Sequence, residues 1–264
     1  MKRILLLIVL LSAGILGVSA QIKIGNKKID TKKVVSAVSD VASAITLSDD
    51  DIARMSKEYV DWLDENNKIA DPETELAQRF ERMTANLTNE DGLNLNFKLY
   101  WVSDINAFAC GDGSIRVFAG LMDLMDDSEV LAVIGHEIGH VLNTDTKDRM
   151  KRAYLQSAAK NALGATEGTV QKLTDSELGD LANALAGAQY SQKQEYEADA
   201  HAFKFCIRHN IDPYAMSNAL NKLVELSNGE KASSVSQMFS THPDSEKRAA
   251  IMKQKADEYV AANQ

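Results

Sequence analysis

The strongest constraint on this chain lies at residues 133–142, VIGHEIGHVL, where His136, Glu137 and His140 interrupt an apolar run. From Val130 to Leu142 the apolar residues fall on nearly every side of a helix, which describes a helix buried at the centre of a domain. A carboxylate removed from water without a partner costs several kcal/mol. The chain must therefore fold around this helix and give its polar face a compensating charge or a cavity.

Helix positions four apart share a face one turn apart, so His136 and His140 present two imidazoles to one point. Glu137, one residue round the helix, stands beside that point, where it can hold and deprotonate a water on a metal ion. The competing reading is two core histidines with a solvent-facing glutamate. It is disfavoured because a buried Glu137 would then need another cation. A catalytic zinc takes three protein ligands and keeps one position for water, so a third donor must come from elsewhere. The metzincin continuation would place a glycine three residues and a histidine six residues beyond His140; Asn143 and Thr146 stand there instead. Downstream, QEYEADAHAF offers Glu195 with Asp199, and Glu197 with His201 at the same spacing on another face. Spacing alone leaves both pairs open.

The surrounding pattern is helical, then briefly extended, then helical again. Residues 21–33 form a polar stretch, 34–69 read as helical with Ser48 and Asp49 as N-caps, and Asp71-Pro72 starts another helix. LNFKLYWV alternates with period two, with Leu95, Phe97, Leu99 and Trp101 on one face and Tyr100 on the other. Asn106–Cys110 and Ser114–Phe118 flank Gly111-Asp112-Gly113, a hairpin signal. Asp127 and Ser128 cap the central helix, which runs to about Asn143. Residues 145–190 are alanine-rich and amphipathic, with too many charges for a membrane span. Ser191 with Gln194 is a capping box for a helix to about His209, and helices follow Asp212-Pro213 and His242-Pro243. The expected fold is α+β, mainly α, with a small sheet of about three strands packed on the buried HExxH helix.

With 264 residues, 45% hydrophobic and 25% charged, the chain can bury a full core. Residues 1–20, MKRILLLIVLLSAGILGVSA, have a basic start, an apolar run and a small-residue end, the pattern of a cleaved signal peptide. An uncleaved anchor is the alternative, and the absence of a junction cysteine excludes lipid attachment there. Residues 21–264 are then expected as one exported domain, with 21–70 an N-terminal helical extension and 75–255 the core. Loss of Lys2 and Arg3 leaves the mature chain two units more negative than −9, which speaks against nucleic-acid binding and electrostatic membrane docking. In an oxidising compartment Cys110 and Cys206 can pair, or they remain two buried thiols.

Three ordered stretches, HEIGH at 136–140, SQKQEYEAD at 191–199 and THPDSEKR at 241–248, together resemble the HtpX and CAAX-prenyl-protease type of zinc metallopeptidase, peptidase family M48. NAFACGDGSIRVFAGLMDLMDDSEVLAVIGHEIGHV is similar to its exported bacterial members without membrane spans. The resemblance covers roughly residues 75–255 and implies a zincin-like (gluzincin) domain binding one Zn2+ per chain. By position it implies His136, His140 and Glu195 as ligands, Glu137 as catalytic base and Asp199 as a brace behind a ligand. His242 is similar to a histidine that assists the transition state or caps the open zinc position in a latent form. Arg248 completes the H-P-x-x-x-x-R pattern without an assigned role, and Gln192 stands where the family usually has arginine.

The expected activity is zinc-dependent hydrolysis of peptide bonds in unfolded or misfolded envelope proteins. Glu137 would be the proton carrier, and His242, with Tyr196 a weaker candidate, the transition-state donor. Asn106, Ala107, Phe108 and Ala109 are the expected substrate strand, an edge for β-addition. Expected partners are unfolded or extended proteins and outer-membrane assembly components. The expected location is the periplasm, with membrane association or release from the cell as variants. The alternatives are a non-catalytic or latent zinc-bound chaperone module, and a structural envelope protein with segment 153–190 as its partner surface.

Overall fold

The computed structural model describes residues 22–24, 27–29, 47–160, 172–229 and 232–263. The signal-peptide expectation for 1–20 lies outside them, as does the helical expectation for 34–46. At 22–29 a two-stranded antiparallel ladder, β1 (Ile22–Ile24) and β2 (Lys27–Ile29), occupies part of the stretch that reads as polar and irregular.

Helix α1 (Asp49–Asn66) starts at a Ser48 capping box closed by Asp51. Helix α2 (Glu75–Thr84) begins three residues later than Asp71-Pro72 suggests, because Thr74 takes the N-cap and residues 71–74 form a turn. The sheet then follows: β3 (Asn96–Tyr100), β4 (Ala107–Ala109) and β5 (Ser114–Phe118), in the order β3-β5-β4. β3 runs parallel to β5, and β4 pairs antiparallel with it through the expected hairpin. One face, carrying Leu99, Ala107, Ala109, Ile115 and Val117, belongs to the main hydrophobic core. On the other face lie Lys98, Tyr100, Phe108, Arg116 and Phe118, by the alternation of side chains along a strand.

That second face departs from the simple amphipathic expectation. Tyr100 is fully buried whereas Trp101 is exposed. The cause is α1, whose Asp64 accepts hydrogen bonds from Tyr100 Oη (2.6 Å), Lys98 Nζ (2.8 Å) and Arg116 Nε and Nη2 (2.9 Å each). A guanidinium as buried as Arg116 is stable only with such a bidentate partner.

Short helix α3 (Ala119–Leu124) leads into α4 (Asp127–Leu142), the HExxH helix, which is capped by Asp126 with Glu129 reciprocating. Helices α5 (Asp145–Lys160) and α6 (Asp175–Gly187) follow, and with α1 they enclose a second hydrophobic cluster. Helix α7 (Gln192–Arg208) has the expected Ser191–Gln194 capping box, and α8 (Ala215–Ser227), α9 (Ser236–Thr241) and α10 (Ser245–Ala262) complete the chain.

Among the described helices α4 and α7 share the most extensive contact, and two glycines of the apolar run permit it. A Cβ on Gly135 would meet the Phe205 ring at 2.7 Å, and one on Gly139 would lie 3.0 Å from the Ala198 Cα. Both are too short for carbon atoms in contact, so the helices reach this separation only because these positions lack side chains. The approach brings the histidines of α4 within reach of Glu195 and Asp199 on α7.

The Asp64 cluster predicts a pH signature. Burial works to raise the Asp64 carboxyl, but Arg116, Lys98 and Tyr100 hold it down at about 2, against about 3.9 for a free aspartate. Its stabilisation is therefore complete above about pH 4 and is lost as pH falls towards about 2. Asp64→Ala is expected to lower stability at neutral pH by about 3 kcal/mol, because Arg116 is left buried and unpaired. It should also flatten the pH dependence below about pH 4; urea unfolding along a pH series reads both effects.

Candidate metal centre

Four buried side chains from three separate stretches converge: His136 and His140 on α4, Glu195 on α7 and His242 just after α9. Their donor atoms all lie within 4.8 Å of one another. His136 Nε2 is 3.1 Å from His140 Nε2 and 3.7 Å from Glu195 Oε2, and His140 Nε2 is 3.4 Å from Glu195 Oε1. His242 Nδ1 stands 3.0 Å from Glu195 Oε1 and 3.4 Å from His136 Nε2. Ligands about 2.0–2.1 Å from a tetrahedral ion are about 3.3 Å from each other. The donors thus stand at about the spacing that a small divalent ion requires, and nitrogen with carboxylate oxygen is a donor set that suits zinc.

Glu137 points the same way. Both of its carboxylate oxygens are buried without a hydrogen-bond donor, and His242 Nε2 stands 3.7 Å from Oε1. An ionised carboxylate left in that condition is costly, so the space it faces fits an ion and its water.

Behind the donors lies a set of braces. His136 Nδ1 is 2.9 Å from Asp199 Oδ1, one turn beyond Glu195. Arg248 grips Asp199 with Nε (2.8 Å) and Nη2 (2.6 Å) and touches Glu195 Oε2 with Nη1. His140 Nδ1 is 2.9 Å from Asp145 Oδ2, and Asp145 Oδ1 accepts from Gln194 Nε2 at 2.8 Å. Partners of this kind fix the ring plane and leave the other nitrogen free for a ligand bond. Tyr190 stacks on His140 at 3.8 Å, and Arg149 lies over the phenol ring at 5.0 Å while donating to the Leu185 and Ala188 carbonyls.

The electrostatics follow from these contacts. Burial opposes charge on Glu195, yet the His242 charge and the hydrogen bond to His140 hold its carboxyl far below the usual range. Burial lowers His136, against the pull of Asp199. His140 is also pressed down by burial, but Asp145 and Glu195 raise it to about 9. A bound ion must displace that proton, as any imidazole ligand requires.

The model of peptidase family M48 matches residues 70–256. The chain belongs to this family. Among its relatives, metalloprotease LoiP of Escherichia coli strain K12 is 36% identical over 231 residues, covering 87% of this chain and 90% of that protein. Metalloprotease YcaL of the same organism is 35% identical over 222 residues, 84% of this chain and 86% of its own. The beta-barrel assembly-enhancing protease of Yersinia pestis is 29% identical over 185 residues, covering 65% of this chain and 37% of that longer protein. The chain is accordingly a metalloendopeptidase with a mainly helical, zincin-like fold.

Within this M48 domain the structure separates the two residue pairs that spacing leaves open. Glu195 and Asp199 turn into the site, whereas Glu197 is exposed beside Lys193, and His201 bonds the Gly135 carbonyl and Asp91. Gln192 donates to Asp244, so an amide serves where the family usually carries arginine. Tyr196 turns towards Lys247, and no described contact joins it to the donor cluster. Cys110 and Cys206 are free, buried thiols in two different hydrophobic clusters, the second of the two readings left open for them.

Asn106–Ala109 lies at the sheet edge, with β5 on its inner side. Phe118 N donates to the Asn106 carbonyl and Cys110 N to that of Ser114, which places 106, 108 and 110 in the ladder. The backbone groups of Ala107 and Ala109 therefore turn to the free edge. A cleft of about 280 Å³ runs beside that edge, lined by Asn106, Phe108 and Ala109 on one side and by Arg149, Leu185 and Thr241 on others. Asn106 Oδ1 and Thr146 Oγ1 are buried in its lining without partners.

Asp145, Gln194, Tyr190, Arg149 and the role of Arg248 escape a sequence reading. An acid in the first turn of α5 reads as a helix-dipole residue. It reaches back to His140 only because Thr144, at φ 62°, reverses the chain. Asp145→Ala is expected to weaken ion binding about 10–100-fold with the fold retained, read by equilibrium dialysis. Arg248→Met leaves two buried acids uncompensated and should cost about 3–5 kcal/mol in chemical unfolding.

Proposed function

We propose that this chain is a zinc-dependent endopeptidase that hydrolyses unfolded or misfolded envelope proteins. The observation that carries the reading is the four-donor cluster with unpartnered Glu137 beside it and an unpaired strand edge alongside. Zinc held by these donors would supply Lewis-acid polarisation of the scissile carbonyl and acidify water. Glu137, fixed on a helix that is buried from Ala132 to His140, takes a proton from the attacking water and returns it to the departing amine nitrogen. Backbone groups of Ala107 and Ala109 would bind an extended substrate as an added strand. That mode reads main chain and so favours unfolded segments with loose sequence preference.

Residues 1–20 serve in this proposal as a cleaved signal peptide, with the peptidase domain acting in the periplasm. Among the described residues no helix is long and apolar enough to cross a membrane. The name of the beta-barrel assembly-enhancing protease supports outer-membrane assembly components as partners.

A second reading has its own observation. His242 Nδ1 takes the fourth corner of the donor set, which would leave no position for water. In that latent form the domain would hold extended proteins without cutting them.

Purified chain should bind one zinc and cleave casein. Glu137→Gln should keep the zinc and lose about 10²–10⁴ in rate. Stoichiometric zinc with no Glu137-dependent cleavage of unfolded protein would defeat the peptidase proposal. His242→Ala separates the two states: a gain in rate marks a closed resting site, and a loss marks a transition-state donor.

A further inference from the structure

Helix α1 lies N-terminal to the residues matched by the family model, 70–256, yet it walls the cleft. Tyr59, Leu63 and Asn67 recur every four residues, so they form one stripe along α1 and its C-cap, and all three line the cleft. Across from them stand Phe108 and Phe118, with ring centroids 6.2 Å apart in edge-to-face contact, and Tyr100 at 6.4 Å from Phe108. Asp64 fastens this helix to the sheet through Arg116, so the wall is held in place.

The register of the sheet says what this wall meets. Phe108 projects to the α1 side of the sheet, away from the core face of Ala107 and Ala109. An extended segment bonded to the free groups of Ala107 and Ala109 has one residue directly opposite Phe108. Directly opposed residues project their side chains to the same face. That side chain is delivered into the space between Phe108, Phe118 and the stripe of α1.

We propose that Tyr59, Leu63 and Phe108 form a specificity pocket in which the N-terminal helix selects a large apolar side chain at one position of the substrate strand. This rests on strand addition at β4. The pocket adds one side-chain preference to a main-chain-reading enzyme, and its α1 wall lies outside the residues matched by the family model. A methylene gained or lost in an apolar pocket changes selection about 10-fold or more, so Leu, Met or Phe should exceed Ala at that position by at least this factor.

The test is a cleavage profile over a randomised peptide library, comparing the full chain with Leu63→Trp, which fills the pocket, and Leu63→Ala, which enlarges it. The expected result is an apolar preference confined to one position. It should shift to Gly and Ala in Leu63→Trp and towards aromatic residues in Leu63→Ala, with zinc content and melting temperature retained. Identical profiles in the three proteins, or no preference for apolar residues at any position, would overturn the pocket. A parallel arm measures anisotropy of fluorescein-labelled extended peptides on Glu137→Gln, with Phe or Ala at each position. Tighter binding of Phe at one position, abolished by adding Leu63→Trp, supports the pocket even if the wild type cuts nothing. Equal binding refutes it whether or not cleavage occurs.

Discussion

Arg248 is the charge on which the buried site depends. Asp199 and Glu195 are both withdrawn from water, one behind a donor histidine and the other among the donors. Two carboxylates in a dry interior repel each other and lose their hydration, and a cation already in place offsets both effects. The guanidinium spans the pair in one plane, something a lysine ammonium could not do with the same directionality. The last helix, which carries Arg248, is thereby part of the site and not a cover laid over it.

The same requirement explains the geometry around it. Charges can be paired in the interior only if their helices come close, and α4 and α7 come close because Gly135 and Gly139 offer no side chains between them. His136 is then bracketed by Asp199 and the donor cluster, and His140 by Asp145 and Tyr190. Each ring is held on its far side, so its ligand nitrogen has one direction left.

Much of this was legible in the residues and part was not. Local signals carried well: the period of the HExxH helix, the capping box at Ser191 and the turn at Gly111–Gly113 all describe contacts within a few residues. The Leu95–Leu99 face of β3 does enter the core, but alternation gives no hint that Tyr100 is buried and Trp101 exposed, because Asp64, 36 residues from Tyr100 and 52 from Arg116, holds the second face. Glu195 and Glu197 have equal spacing to their acid or histidine mates; the family resemblance points to Glu195, and packing against α4 supplies the physical reason. Asp145 had the appearance of a helix-start acid, since its second role depends on a backbone reversal at Thr144 that leaves no compositional trace.

The order of the donors along the chain has a consequence for biogenesis. His140 and its brace Asp145 are five residues apart and can meet in a short nascent segment, but His242 and Arg248 arrive over a hundred residues after His136. A partly synthesised chain therefore carries the motif helix without the arginine that makes its buried acids tolerable. The donor set and the arginine behind it are complete only once α10 has been made. A protease assembled in this sequence has little opportunity to attack its neighbours, or itself, while still unfolded.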